Sequence, residues 1–235
     1  MADVYKQPAT NLIMLMSNLV LLTTSGGGIS VTDNFDAYSV GALAGQGNWR
    51  TCFNTISVSG TTGNNYIYSN TDAGETCVKR SEAFTGNHSS QLTIRTAQVD
   101  TYIGPAVRCS GSGATACYYA MYGSSDGSGA FGIGIIRSGV WNDFLSSWAN
   151  GLVDGDILKL TISGNTLRAY KNGSLASGMG TAVIGGFSGT GGDYVIDPTF
   201  MEPYVTEIGV PGVSGYNDGI IATITYGDSF AAQDI

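Results

Sequence analysis

Residues 154–175 read DGDILKLTISGNTLRAYKNGSL. Two short apolar-polar alternations flank Gly164-Asn165, a pair suited to the tight primed turn of a two-residue hairpin. Asn172-Gly173 supplies a second turn of the same kind, so the stretch predicts a three-strand antiparallel meander. With Gly164-Asn165 as the turn, the register follows: Ser163 faces Thr166, Ile162 faces Leu167, Thr161 faces Arg168, Leu160 faces Ala169 and Lys159 faces Tyr170. One face then carries Leu158, Leu160, Ile162, Leu167 and Ala169; the other carries Lys159, Thr161, Thr166, Arg168 and Tyr170. A slip by one residue would mix the two sets, so the pattern specifies the register and a sheet that is dry on one side and wet on the other.

Working outward, the rest of the chain has the same grain. Gln46–Phe53, Thr55–Ser59, Tyr66-Ile67-Tyr68, Ala83-Phe84, Gln91–Ala97, Tyr102–Cys109, Cys117–Tyr122, Ala130–Ile136, Ala182–Phe187 and Ile220–Tyr226 read as strands, the last closing the domain at Gly227-Asp228. Gly/Ser-rich loops fall between them, at 60–65, 110–116 and 123–129. Short strands at this spacing argue for an all-β sandwich, and no stretch has a convincing amphipathic helical period. Of 235 residues 35 are Gly and only 12% are charged, against a usual charged share of roughly 25%.

The opening residues differ. Leu12, Ile13, Leu15, Leu19 and Leu21 lie in an apolar run broken at Ser17-Asn18, too short for the ~20 apolar residues that span a bilayer. A secretory signal fits poorly, because Lys6 is offset by Asp3 and no clean small-x-small site follows. The reading is an assembly arm over 1–29, ending in the hinge Ser25-Gly26-Gly27-Gly28, then a sandwich over 30–235; an extra strand of the domain itself is the alternative. Pro198, Pro203 and Pro211 mark an insertion near 193–213.

Ten basic and 18 acidic residues give a net charge of −8, and the sequence has no cluster of Lys and Arg, so neither nucleic acid nor an anionic membrane surface is an expected partner. Cys52, Cys77, Cys109 and Cys117 show no C-x-x-C spacing and there is one histidine, His88, so the reading assigns no metal centre. Two disulfides, Cys109–Cys117 and Cys52–Cys77, or four buried thiols are both open. His88 lies in GNHSS, a polar loop and poor ground for a catalytic base. Trp141, Asn142, Asp143 and Trp148, with Phe144 between them, form the candidate sugar face: rings stack on sugars and the amide and carboxylate meet hydroxyls. Aromatics in a sandwich also serve as core, which is the reading for Trp49. The sequons at Asn87 and Asn172 decide nothing.

The pattern G-D-x-L-x-L-x-x-x-G-N-T-L-x-x-Y-x-N-G, here Gly155, Asp156, Leu158, Leu160, Gly164, Asn165, Thr166, Leu167, Tyr170, Asn172 and Gly173, resembles the central hairpin of concanavalin-A-like lectin/glucanase jelly rolls of the laminin-G-like type. Asp33-Asn34-Phe35 with Trp49 resembles the start of that domain and Val107-Arg108 its middle, so the likeness spans residues 33–230. It implies a concanavalin-A-like jelly-roll β-sandwich with an N-terminal extension. The glucanase branch carries three acids on one strand, E-x-D-x-x-E or E-x-D-x-E. None of Glu75, Glu82, Glu202 and Glu207 sits in that pattern, so the activity is not carried over. Calcium is common in such folds, and Asp33, Asp36, Asp154, Asp156 and Asp228 stand at strand ends, where Asp is also favoured for local reasons; no cofactor is assigned. Modules that look like this occur in bacteriophage virions. The expectation is therefore a non-enzymatic virion protein, a capsid decoration or tail-associated protein. It would be oligomeric, bind a major capsid or other virion protein through its arm and a sheet edge, and display the sandwich toward host glycans. A free carbohydrate-binding lectin-like module is the alternative; a glycan hydrolase, using Glu202 or Glu207, stands behind both.

Overall fold

The computed structural model describes residues 28–70, 74–98, 101–123, 125, 131–137, 140–148, 151–183, 186–197, 209–217 and 226–235. The strands are β1 (Ser30–Asp33), β2 (Gly41–Ala42), β3 (Trp49–Phe53), β4 (Ile56–Thr61), β5 (Asn64–Ser69), β6 (Gly74–Arg80), β7 (His88–Thr96), β8 (Thr101–Ser110), β9 (Cys117–Gly123), β10 (Phe131–Arg137), β11 (Val140–Trp148), β12 (Ile157–Ser163), β13 (Thr166–Lys171), β14 (Ser174–Leu175), β15 (Phe187–Thr190), β16 (Asp193–Ile196), β17 (Val210–Asn217) and β18 (Tyr226–Asp234). The helical element among the described residues is one 3-10 turn, Gly113–Thr115.

An eleven-stranded sheet runs β15-β16-β13-β12-β7-β18-β5-β4-β2, with β1 beside β18 and β14 beside β13; a seven-stranded sheet runs β11-β10-β9-β8-β17-β6-β3. Neighbouring strands are antiparallel, and β7, β12 and β5 pack across β8, β9 and β17 to close a sandwich.

The meander fixes its sheet as the alternation requires. β12 and β13 pair Ser163 with Thr166 through Lys159 with Tyr170. Leu158, Leu160, Ile162, Leu167 and Ala169 are wholly buried, while their alternates are half-exposed. Gly164 takes the positive φ of 53° that opens the first turn, and Asn172 (52°) and Gly173 (78°) take the pair of positive values the second demands. Inward residues of both sheets meet in one core, with Trp49 at its end. The Trp49 indole N–H donates to Asp33 Oδ2 at 2.8 Å, Arg80 stacks 4.7 Å above its ring and Phe230 abuts it edge-on at 4.8 Å.

Several expectations are corrected. The domain closes on β18 (Tyr226–Asp234), and Gly227-Asp228 lies within that strand; Ile220–Thr225 lies outside the described residues. Ala83-Phe84 is loop, and the strand sought at Ala182–Phe187 begins at Phe187. Within 193–213, residues 193–196 are β16 and 210–213 open β17; 198–208 lie outside the described residues. His88 does not sit in a polar loop: it opens β7, fully buried. Of the two readings left open for the cysteines, the structure has four buried free thiols. Cys117 pairs with Ser110, one residue past Cys109, so strand alternation sends Cys117 into the inter-sheet core and Cys109 to the outer side of the seven-stranded sheet. There Cys109 meets Cys77, Sγ to Sγ 3.9 Å.

Candidate functional site

The outward half of β5 is aromatic. Ile67 turns into the core, so Tyr66 and Tyr68 stand half-exposed on the outer face of the eleven-stranded sheet. β18 joins β5 through the pair Gly227–Ile67 and brings Tyr226 alongside. The Tyr66 and Tyr226 rings meet edge-on at 4.4 Å and the Tyr68 and Tyr226 rings at 6.0 Å. Burial, then the neighbouring Tyr66 and Tyr68 phenols, raises the Tyr226 hydroxyl above its ordinary range, so at neutral pH it is a proton donor.

The polar part of the site comes from a bulge. Against β7, the register of β18 shifts on both sides of Gly227, from Tyr226–Thr96 to Gly227–Ile94 to Ser229–Thr93. The inserted residue, Asp228, therefore shares the outer face with Ser229, and alternation resumes with Phe230 in the core. Asp228 Oδ1 lies 3.5 Å from Arg95 Nη1, Arg95 Nη2 donates to Asn64 Oδ1 at 2.9 Å, and the guanidinium lies 4.8 Å over the Tyr66 ring. Ser229 Oγ donates to Thr93 Oγ1 at 2.9 Å. The Arg95 and Asp228 side chains are 30% and 48% exposed, so the ion pair adds only about 0–1 kcal/mol to stability. The stacking on Tyr66 adds about 0.5–1 kcal/mol more. What these contacts do is hold a carboxylate, a guanidinium and an amide beside three rings. Apolar ring faces flanked by a few fixed polar groups can take a hydroxyl-rich ligand with C–H faces.

The sequence-predicted site residues lie elsewhere. Trp141, Asn142, Asp143 and Trp148 are on β11, with Trp141 opposite Ile136, Asp143 opposite Ile135 and Trp148 opposite Phe131. Trp141 and Trp148 are seven positions apart, roughly 23 Å along a strand, so the backbone sets them at opposite ends of β11. Their side chains lie outside the described residues, as do Leu12, Ile13, Leu15, Leu19 and Leu21 of the arm, and Glu202 and Glu207.

The five aspartates considered for calcium have protein partners. Asp33 accepts from Phe35 N, Trp49, Tyr38 and Arg80; Asp36 from Asn65 N and Asn34; Asp154 from Ala97 N. Asp156 accepts from Val153 N and Asn172 and pairs with Lys171 at 2.8 Å, and Asp228 holds Arg95. No cluster of three ligating side chains occurs among the described residues.

His88 is engaged on both ring nitrogens: Nε2 accepts from Arg108 N at 3.0 Å, so Nδ1 carries the proton toward Thr85 O at 2.7 Å. Burial lowers its pKa to about 4. Glu82 is bound to Arg80 and Asn48, and Glu75 is buried beneath Tyr122 and Ser214.

Sequence reasoning registered the Tyr66-Ile67-Tyr68 alternation but not its partners. Tyr226 looked like the end of a closing core strand, and the bulge that exposes Asp228 leaves no mark in the sequence.

No protein-family model matches the chain, and no curated protein matches it. Among solved structures it is similar to the carbohydrate-binding module CBM66 from Bacillus subtilis, at 12% identity and a TM-score of 0.52, covering 83% of this chain and 99% of that one. It is also similar to a Bacillus subtilis protein of unknown function with a galectin-like fold, at 9% identity and a TM-score of 0.52, covering 80% of this chain and 89% of that one. Likeness at such identities speaks to architecture, and with two antiparallel sheets closed face to face the chain is a lectin-like jelly-roll β-sandwich.

Proposed function

We propose that the protein is a carbohydrate-binding, lectin-like module and that its sugar face is built on Tyr66, Tyr68, Tyr226, Arg95 and Asp228. The observation that carries this reading is the aromatic cluster itself: three half-exposed tyrosines on a solvent-facing sheet, with a guanidinium and a carboxylate already oriented beside them. Such rings cost apolar exposure and add little to the core, so a ligand is the economical reason for them. The similarity to a structure described as a carbohydrate-binding module agrees with it.

Affinity electrophoresis through gels containing polysaccharides tests the site. Retention is expected to be lost in Tyr226→Ala and Tyr66→Ala, with stability falling by no more than about 1 kcal/mol, and kept in Trp141→Ala and Trp148→Ala. Folded tryptophan variants that lose retention while the tyrosine variants keep it would move the site to β11.

No described residue favours the virion expectation over this reading, because its arm is residues 1–29 and those up to 27 lie outside the described residues. Light scattering on the full chain and on a chain starting at Ser30 tests it: a defined oligomer that becomes a folded monomer on truncation assigns the arm to assembly, and two monomers remove that role.

A further inference from the structure

The tyrosine cluster does not end at Asp228. Beyond it along β18, a groove of about 440 Å3 is lined by Thr32, Asp33, Asn34, Gln91, Ser229, Phe230 and Ala231. Register makes the two regions one surface. Ser229 pairs with Thr93 and Ala231 with Gln91 on one side, and Ala231 with Thr32 on the other. All of these alternate against the core residues Leu92, Phe230 and Val31. From Tyr226 to Ala231 the track is roughly 15 Å long at the ~3.3 Å rise of a strand, bulge included. Its aromatic end and its hydroxyl- and amide-lined end therefore lie in series on one sheet face.

The charge along this track is balanced. Arg95 faces Asp228. The Asp33 carboxylate is turned inward and accepts from Phe35 N, Tyr38, Trp49 and Arg80, so it presents no bare charge to the groove. What lines the groove beyond Ser229 is the amides of Gln91 and Asn34 and the hydroxyl of Thr32. In a chain of net charge −8, this wall fits a neutral, hydroxyl-rich polymer and repels polyanions.

We infer that the groove is a second subsite, so that the module takes several consecutive units of a neutral linear polysaccharide, with the tyrosine cluster anchoring one unit and Gln91, Ser229 and Thr32 receiving the following ones. This rests on the carbohydrate-binding reading above.

The test uses the full chain, with laminarin, xylan, glucomannan and polygalacturonate in affinity gels, followed by calorimetry with di- to hexasaccharides of the retained polymer. A neutral polymer is expected to be retained and polygalacturonate to pass. The hexasaccharide is expected to bind about tenfold or more tighter than the disaccharide, equivalent to ~1.4 kcal/mol. Gln91→Ala should erase most of that gain while leaving the disaccharide Kd within about twofold, whereas Tyr226→Ala should weaken both ligands. Equal affinity for the two lengths, or equal weakening of both by Gln91→Ala, overturns the second subsite and leaves the tyrosine site standing. Retention of polygalacturonate alone overturns the neutral assignment. If no polymer is retained and no oligosaccharide binds, the carbohydrate reading and the inference fall together.

Discussion

On the eleven-stranded sheet the residues that alternate outward include Lys159, Thr161, Arg168, Tyr66, Tyr68 and Tyr226, all half-exposed. On the seven-stranded sheet the outward set includes Cys77, Cys109, Ala106, Tyr118, Tyr122 and Glu75, all buried. The same fold thus has one outer face that meets solvent and one whose outward residues form a satellite core of thiols and phenols around a carboxyl. Tyr122 donates to Glu75 Oε2 and lies 2.6 Å from Ser214 Oγ, which in turn donates to Thr76 O. Burial raises the Glu75 carboxyl to about 7, against the pull of the Tyr122 hydroxyl. The contrast teaches that alternation decides what a sheet tyrosine can do: on the wet face its ring is open to a ligand, and on the other it is structural filling.

The largest expected effect separates the faces outright. Tyr122→Ala removes a buried ring and strands the Glu75–Ser214 network, at a cost of about 3–5 kcal/mol. Tyr226→Ala should change stability by less than about 1 kcal/mol while abolishing glycan retention. Denaturant unfolding of the two variants side by side makes the comparison, and equal losses of stability would erase it.

Next in size are two opposed proton linkages. Glu75 binds its proton more tightly folded (about 7) than at its ordinary 4.5, so its contribution is complete below pH 4.5 and is lost as pH rises to about 7. His88 holds its proton more weakly folded (about 4) than at its ordinary 6.5, so its contribution is complete above pH 6.5 and is lost as pH falls toward 4. Each amounts to about 3 kcal/mol at full extent. Their slopes cancel between pH 4.5 and 6.5, and wild-type stability should be nearly flat there. Glu75→Gln should leave stability rising with pH across that window, and His88→Gln should leave it falling. Parallel profiles for the three proteins would show that neither group titrates as its burial dictates.

Smaller still is Tyr118→Phe. The Tyr118 hydroxyl is buried near Ser214 without a hydrogen bond of good geometry, so its removal should be neutral or stabilise by up to about 1 kcal/mol. A loss beyond that, measured by thermal unfolding, would place the hydroxyl within the buried network. The smallest effect belongs to the wet face: Arg168 and Asp193, 43% and 42% exposed at 3.1 Å, form a pair worth about 0–1 kcal/mol, and Arg168→Ala should scarcely move the midpoint.

The same difference governs what could be read from sequence. β12 and β13 are dry on one side, so their period of two gave their register residue by residue. β6, in the seven-stranded sheet, went unseen: Glu75, Thr76, Cys77 and Val78 are all buried, and a strand covered on both sides has no alternation to offer. The opening of β17, residues 210–213, falls in the stretch whose Pro198, Pro203 and Pro211 suggest an insertion. Pro211 sits where the register shifts between Val210 and Gly212, and a Cβ on Gly212 would lie 2.3 Å from Val78 O and 3.0 Å from Cys109 Sγ. Glycine here is a demand of close strand and thiol approach. Two of the five residues of the candidate site, Tyr66 and Tyr68, are visible as an alternation. Arg95, Tyr226 and Asp228 join it from β7 and β18 by long-range pairing and two residues the register skips, Arg95 in β7 and Asp228 in β18, which no local window contains.

The pairing of β1 with β18 has a further consequence. Ser30 lies opposite Gln233, Ile29 N donates to the Asp234 carboxylate and Asp234 N donates to Ile29 O. Residues 29 and 234 stand side by side, so a linker of a few residues would bridge them with no strand pairing disturbed.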